Sequence, residues 1–227
     1  MRRTAAALAV AVVITAAGTA RATTRPVVVE LFTSEGCSSC PPADAFLTTL
    51  AGRGDILPLA FHVTYWNSLG WRDPYSLDLA TGRQAMYAAR LGGGSYTPEM
   101  VVDGLMGMVG SDRDQAAAAI SNAHGAATDG ATIRVTRSGR DVRVSVGAAP
   151  GRGRVMLIGF DPRHTTRVGR GENSGRTLVE SNIVRSLKTI GAYDGAPIEL
   201  SAALDAGERA AVVIQGYDGR ILGAARL

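Results

Sequence analysis

Cys37 and Cys40 are the only two thiols in the 227-residue chain. They stand three apart, between an apolar run from Val27 to Phe32 and a helix-compatible stretch from Ala43 to Ala51. Residues i and i+3 of a helical turn share a face, so the two sulfurs can meet at disulfide geometry without a backbone shift. If the helix begins near Cys37, the first sulfur faces unpaired N–H groups whose partial positive charge favours thiolate. Cys37 is then the attacking nucleophile, and Cys40, one turn further in, is the more buried resolving thiol. Attack gives a mixed disulfide, and the second thiol closes the ring. A bridge across two residues closes too short a loop to be a good staple. Two cysteines also cannot complete a four-ligand structural zinc site. Redox chemistry is the first reading of the pair, soft-metal binding the second and a purely structural disulfide the third.

The elements that would position the pair follow from the pattern around it. Val27 to Phe32 is nearly continuous in apolar residues, as in a strand buried on both faces. Pro41 fits only the first turn of a helix, and Gly52 and Gly54 stop that helix. Ile56 to Val63 reads as a second strand, Leu77 to Leu91 as a helix and Met100 to Val102 as a third strand before an Asp103-Gly104 turn. A last helix opens at Ser111, with Asp114 as a capping partner, and ends at Gly125. The order β-α-β-α-β-α favours an α/β layer with parallel strand pairs. From Ala131 the period changes. Ile133 and Val135, then Val142, Val144 and Val146, alternate with polar residues about Ser138-Gly139-Arg140, a hairpin with one wet face. Val155 to Phe160, Ile183 to Ile190 and Ile198 to Leu200 are further strands. Ala211 to Gln215 and Ile221 to Ala224 flank a Tyr217-to-Arg220 turn, and Ser201 to Ala206 offers about one turn of helix. The expectation is an α/β domain over residues 23–129, with a helical insertion at 67–95, then an all-β antiparallel sandwich-like domain over 130–227.

The N-terminus has the form of an export signal. Arg2 and Arg3 precede an apolar run, Ala5 to Ala17, too short to span a bilayer, and Ala20-Arg21-Ala22 is a small-x-small cleavage site. Cleavage after residue 22 takes the 24 basic residues to 21 against 20 acidic ones, so the charge falls from +4 to about +1. No basic stripe remains for nucleic acid, and no membrane span is expected in the mature chain. The expected location is periplasmic or secreted, where disulfides persist.

Longer stretches carry a resemblance. The strand–CxxC–helix unit, with Thr97-Pro98 leading into Met100-Val101-Val102-Asp103-Gly104, resembles the thioredoxin superfamily, in which a cis-proline precedes a central strand and faces the CxxC. Glu30 to Asp44 (ELFTSEGCSSCPPAD) is more narrowly similar to the exported bacterial family called domain of unknown function 1223. Phe61 to Trp66, Leu69 to Pro74 and Gly171 to Leu178 are similar to later blocks of that family. The resemblance implies a thioredoxin-like mixed sheet flanked by helices, a cis Thr97–Pro98 bond, and disulfide exchange with protein or peptide thiols, with a redox partner protein. No cofactor is expected. Gly36 stands where better-known members carry an aromatic, and the inner dipeptide is Ser38-Ser39. Glu30, seven residues before Cys37, is the candidate proton shuttle for Cys40. Pro98 lacks an N–H, and a cis bond there exposes backbone that can pair with an extended chain. Glu35 would raise the Cys37 pKa through like charge.

A second class of function stays open. Cys37 and Cys40 with His62 would make a copper-binding or copper-delivery site. His62 is otherwise a core histidine, Met106 and Met108 are packing residues, and His124 caps a helix end. Tyr65, Trp66, Trp71, Tyr75, Tyr87 and Tyr96 crowd one stretch, as a substrate groove or as the packing of the insertion. No G-x-S-x-G motif supports Ser-His-Asp catalysis.

Overall fold

A computed structural model describes residues 25–127 and 130–227. The export segment at 1–22, the expected mature terminus at Thr23 and Asp129 lie outside the described residues. β1 (Val27–Thr33) is buried along its whole length, as its nearly continuous apolar run leads one to expect. α1 (Pro41–Ala51) returns the chain to β2 (Ile56–His62), parallel to β1 with Ala60 opposite Leu31. A short 3-10 turn at Tyr65–Leu69 and α2 (Asp78–Leu91) follow. β3 (Glu99–Val102) then runs antiparallel to β1 and turns into β4 (Met106–Val109), and α3 (Arg113–Ala126) closes this half. The Asp112 side chain caps α3 by accepting from the Gln115 amide, in place of the expected Ser111–Asp114 pair.

The second half does not form its own sandwich. Its strands are β5 (Ile133–Ser138), β6 (Asp141–Val146), β7 (Gly153–Arg167), β8 (Thr177–Tyr193), β9 (Ile198–Ala203), β10 (Arg209–Gly216) and β11 (Ile221–Arg226). β8 lies beside β2 in parallel, with Ile183 opposite Ala60, and joins both halves into one eight-stranded sheet of order β11-β10-β7-β8-β2-β1-β3-β4. Only β5, β6 and β9 form a separate three-stranded sheet. This corrects the expected thioredoxin-like domain followed by an all-β sandwich. Helices are few, and the central sheet extends through strands of the C-terminal half. The physical reason is that β2 is apolar to its outer edge and needs a partner there, which β8 supplies. The turn of helix expected at Ser201 to Ala206 is instead the end of β9, whose residues alternate between half-buried and exposed, and the loop that follows it.

The sheet faces are covered unequally. On one face α1 and α3 cover β1 to β4, and the three-stranded sheet packs through Val142, Val144 and Val146 on Val155, Leu157, Val212 and Ile214. The other face carries α2, whose Ala80 and Tyr87 meet Val28, Phe32, Leu57, Leu59 and Phe61. Glu30 points to this α2 face. It takes a bidentate ion pair from Arg83 and a 2.7 Å hydrogen bond from the Tyr87 hydroxyl. Arg83→Met leaves that carboxylate buried and unpaired, so it should cost about 3–5 kcal/mol. A urea midpoint unchanged from the parent would contradict this role.

Candidate functional site

Cys37 and Cys40 are joined by a disulfide, with their Cα atoms 5.4 Å apart. They occupy the turn that leads from β1 into α1. The turn is closed by the Cys40 amide donating to the Cys37 carbonyl at 3.2 Å. Cys40 is the N-cap of α1, and Pro41 and Pro42 fill its first two positions. Cys37 therefore lies a turn ahead of the helix, not within its first turn as expected. The two prolines have no N–H, and the amides of Ala43 and Asp44 donate back to the Cys40 carbonyl. The helix end thus offers few free donors to a thiolate. The Ser39 hydroxyl lies within hydrogen-bonding reach of the Cys37 sulfur, with Oγ at 3.3 Å.

Both cysteines are fully buried, at 0% exposure, so burial does not single out Cys40, while Ser38 and Ser39 between them are exposed. A loop from the C-terminal half accounts for part of this cover. Between β7 and β8 the chain crosses over the CxxC turn. Asn173 donates to the carbonyls of Glu35 and Cys37, each at 2.9 Å, and Glu172 accepts from the Ser38 amide at 3.0 Å. Hydrogen bonds from Ser38 hold the Glu172 carboxyl below its ordinary range. Asn173 is itself fully buried and is steadied by Arg176 at 2.8 Å. Asn173→Ala removes both bonds to the turn, so reduction of the disulfide by a small thiol should speed up roughly tenfold, at about 1–2 kcal/mol of released restraint. An unchanged rate would mean that this loop does not limit access.

Of the crowded aromatic residues, Trp66 and Trp71 anchor groups around this turn, whereas Tyr87 lies with Glu30 on the α2 face. Trp66 Nε1 donates to Thr97 Oγ1 at 2.8 Å, and Trp71 Nε1 donates to Glu35 at 2.7 Å. A Cβ on Gly36 would sit 3.2 Å from the Trp66 Cβ, which explains why no aromatic precedes Cys37 here. The Thr97–Pro98 bond is cis, as the resemblance implied, and the Ser39 hydroxyl lies 3.5 Å from the Thr97 carbonyl.

Beneath the turn lies a buried group of ionisable side chains that no local pattern announced. Glu35, Asp44, Asp73 and Glu180 are all at 5% exposure or less, and His62 lies among them at 1%. His62 Nδ1 is 2.7 Å from Asp73 Oδ2, and its Nε2 is 3.7 Å from Glu180 Oε1, too long for a hydrogen bond. Asp73 also accepts from the Glu35 amide, and Asp44 accepts from Thr33 Oγ1 at 2.7 Å. Neither oxygen of Glu180 has a hydrogen-bond partner among the described residues. Burial disfavours charge on every member. It raises Glu180 to about 8 and Asp44 to about 6, and with the nearby Asp73 charge it raises Glu35. His62 is the exception: burial works against its proton, but the Asp73 and Glu180 carboxylates hold it up to about 10. Burial also works against the Asp73 charge, and the imidazolium with its hydrogen bond brings Asp73 below its ordinary range.

The residues singled out in the sequence are therefore distributed as follows. Cys37, Cys40 and Thr97-Pro98 come together around Ser39, the cysteines and Pro98 being buried. Glu30 faces α2 and is engaged by Arg83 and Tyr87, on the side of the sheet away from α1, with no hydrogen bond to the cysteine turn. Its place as a buried carboxyl near the turn is taken by Asp44, four residues after Cys40. His62 directs its ring nitrogens at two carboxylates and holds a proton. No group of three or more His, Cys, Asp or Glu among the described residues is arranged to hold a metal ion, so Cys37, Cys40 and His62 are not gathered as a copper ligand set. His124 approaches Asp55 at 3.1 Å rather than capping carbonyls. Met106 and Met108 lie in the edge strand β4, a strand that its glycine and short length hid in the sequence. Glu172 and Asn173 were visible only as part of the Gly171 to Leu178 block.

The comparisons place the chain in a family. A family model described as protein of unknown function (DUF1223) matches residues 28–215, and the chain belongs to that family. A crystal structure of protein AGR_C_4864 from Agrobacterium tumefaciens is 30% identical to it, over 88% of this chain and 93% of that one, with a TM-score of 0.77. HBP35 of Porphyromonas gingivalis is 13% identical over 90% of this chain and 75% of its own, with a TM-score of 0.61, a likeness of fold alone. No curated protein matches the chain significantly. None of these findings names the thioredoxin superfamily. Among the described residues no helix is long and apolar enough to cross a membrane.

Proposed function

We propose that this protein is an exported thiol–disulfide oxidoreductase that exchanges disulfides with protein or peptide partners through Cys37 and Cys40. The observation that carries the proposal is the position of the Cys37–Cys40 disulfide. It ties no distant segments together, closes a ring of two exposed serines at the mouth of α1, and has the Thr97–Pro98 segment beside it. Such a bond contributes little to stability and stands where a partner chain can reach it once the Glu172–Asn173 loop moves.

In the reduced protein the Cys37 thiolate attacks one sulfur of a partner disulfide. A Cys37–partner disulfide forms, and the partner's other sulfur leaves as a thiolate. The Cys40 thiol then loses its proton and attacks the Cys37 sulfur. The protein disulfide closes, and the second partner thiolate leaves. The reverse sequence oxidises a partner dithiol. The test is a peptide carrying one disulfide, with glutathione as electron donor. The protein should accelerate reduction well above the thiol background, and Cys37→Ser should return the rate to that background. A Cys37→Ser protein as active as the parent would overturn the proposal.

A further inference from the structure

The α2 face of the sheet is left partly open. Eight strands at about 4.8 Å spacing span roughly 34 Å, whereas a helix is about 10 Å across. α2 lies over the β1–β2 side, and a cavity of about 540 Å³ remains between its outer half, β7, β8 and the β10–β11 turn. The volume is that of a small-molecule site. Its apolar lining comes from Leu79, Met86, Met156 and Leu187, of which Met86 is 37% exposed.

The polar lining is cationic. Arg83 is at the floor and is neutralised by Glu30. Arg90 and Arg154 are exposed on the rim and flank Tyr217. Arg90 donates to the Tyr217 carbonyl at 3.3 Å, and the Arg154 guanidinium sits 5.8 Å over the Tyr217 ring. Neither arginine takes part in any ion pair among the described residues. The nearby carboxylate, Asp218, is held by Arg220. Arg90 lies directly against this turn. Gly219 has φ +86°, and a Cβ there would lie 2.3 Å from the Arg90 guanidinium carbon.

We infer that this cavity binds one molecule of an organic acid with an apolar body, its tail against Met86, Met156 and Leu187 and its anionic head between Arg90 and Arg154. Apolar burial supplies the affinity and the two rim guanidinium groups select the anion through charge-assisted hydrogen bonds to a carboxylate or sulfonate. The inference does not depend on the cysteines.

The experiment titrates the folded, oxidised protein with the anionic fluorophore 1-anilinonaphthalene-8-sulfonate, followed by displacement with decanoate or its uncharged analogue decanol. One saturable site is expected, with decanoate displacing the probe at least tenfold better than decanol. The Arg90→Gln/Arg154→Gln protein should bind the probe at least tenfold more weakly, and Thr189→Trp, which fills the cavity from β8 without changing charge, should abolish binding. Absence of saturable binding, equal competition by decanol, or parental affinity in either variant would overturn the inference.

Discussion

A reduced Cys40→Ser protein mixed with a disulfide-bearing peptide is expected to stop at a stable Cys37–peptide disulfide, whereas Cys37→Ser forms no adduct. The asymmetry comes from the two sulfurs' surroundings. The Ser39 hydroxyl, 3.3 Å from the Cys37 sulfur, can donate to a thiolate there. Cys40 caps a helix whose first two residues are prolines, so it gains no amide donors from the first turn. Asp44, one helical turn on, brings a carboxyl to the same side of α1. A thiol with few hydrogen-bond donors and an acidic neighbour is the less readily activated of the two, which suits the resolving role. Intact mass spectrometry reads the outcome directly. An adduct on Cys37→Ser, with none on Cys40→Ser, would reverse the assignment.

Stability should fall as pH rises from about 5 toward 10. In the folded protein Glu180 keeps its proton to about 8 and His62 to about 10, against ordinary values of 4.5 and 6.5. Both values are raised, so the folded state holds each proton more tightly than the unfolded chain. The Glu180 contribution is full below about 4.5 and gone above about 8. The His62 contribution is full below about 6.5 and gone above about 10. Asp44 adds a smaller loss of the same sign up to about 6. Asp73, lowered, has the opposite sign, and its contribution is lost only in acid. The losses from Glu180 and His62 overlap between about 6.5 and 8. One proton is worth about 1.4 kcal/mol per pH unit, so Tm should drop by several degrees per unit there. Glu180→Gln keeps the shape, removes one titration and should flatten the slope by about half. Thermal melts of both proteins across pH 5–9 decide it, and a parental Tm that is level or rises between pH 6.5 and 8 would refute this account of the cluster.

Short-range structure was largely legible in the sequence. Val27 to Phe32 reads as a doubly buried strand because nothing polar interrupts it before Glu30, and Glu30 is itself neutralised by Arg83. Pro41-Pro42 fix the start of α1, and the Ser138-Gly139-Arg140 and Tyr217 to Arg220 turns fix two hairpins. The joining of the two halves was not legible, because the contact of Ile183 with Ala60 is a pairing across more than a hundred residues that leaves no local period. β7 and β8 also run further than their apolar cores suggest. Their outer portions, such as Arg163 to Arg167, pair mainly with each other and stay polar. For the site, the cysteines were visible from type and spacing, and Thr97-Pro98 only through the family resemblance. Glu35, Asp73 and Glu180 each look like surface acids in sequence, and only the fold gathers them around His62. Glu30 stands at nearly the expected spacing but on the α2 face of β1, a matter of strand alternation against α1.

The most direct test of the exchange function is a redox titration of the mature protein in glutathione buffers, following the Cys37–Cys40 pair by thiol alkylation and mass. The account predicts a potential between about −270 and −120 mV, the range of working exchangers. A potential below about −300 mV would mark a disulfide that resists exchange and would contradict it.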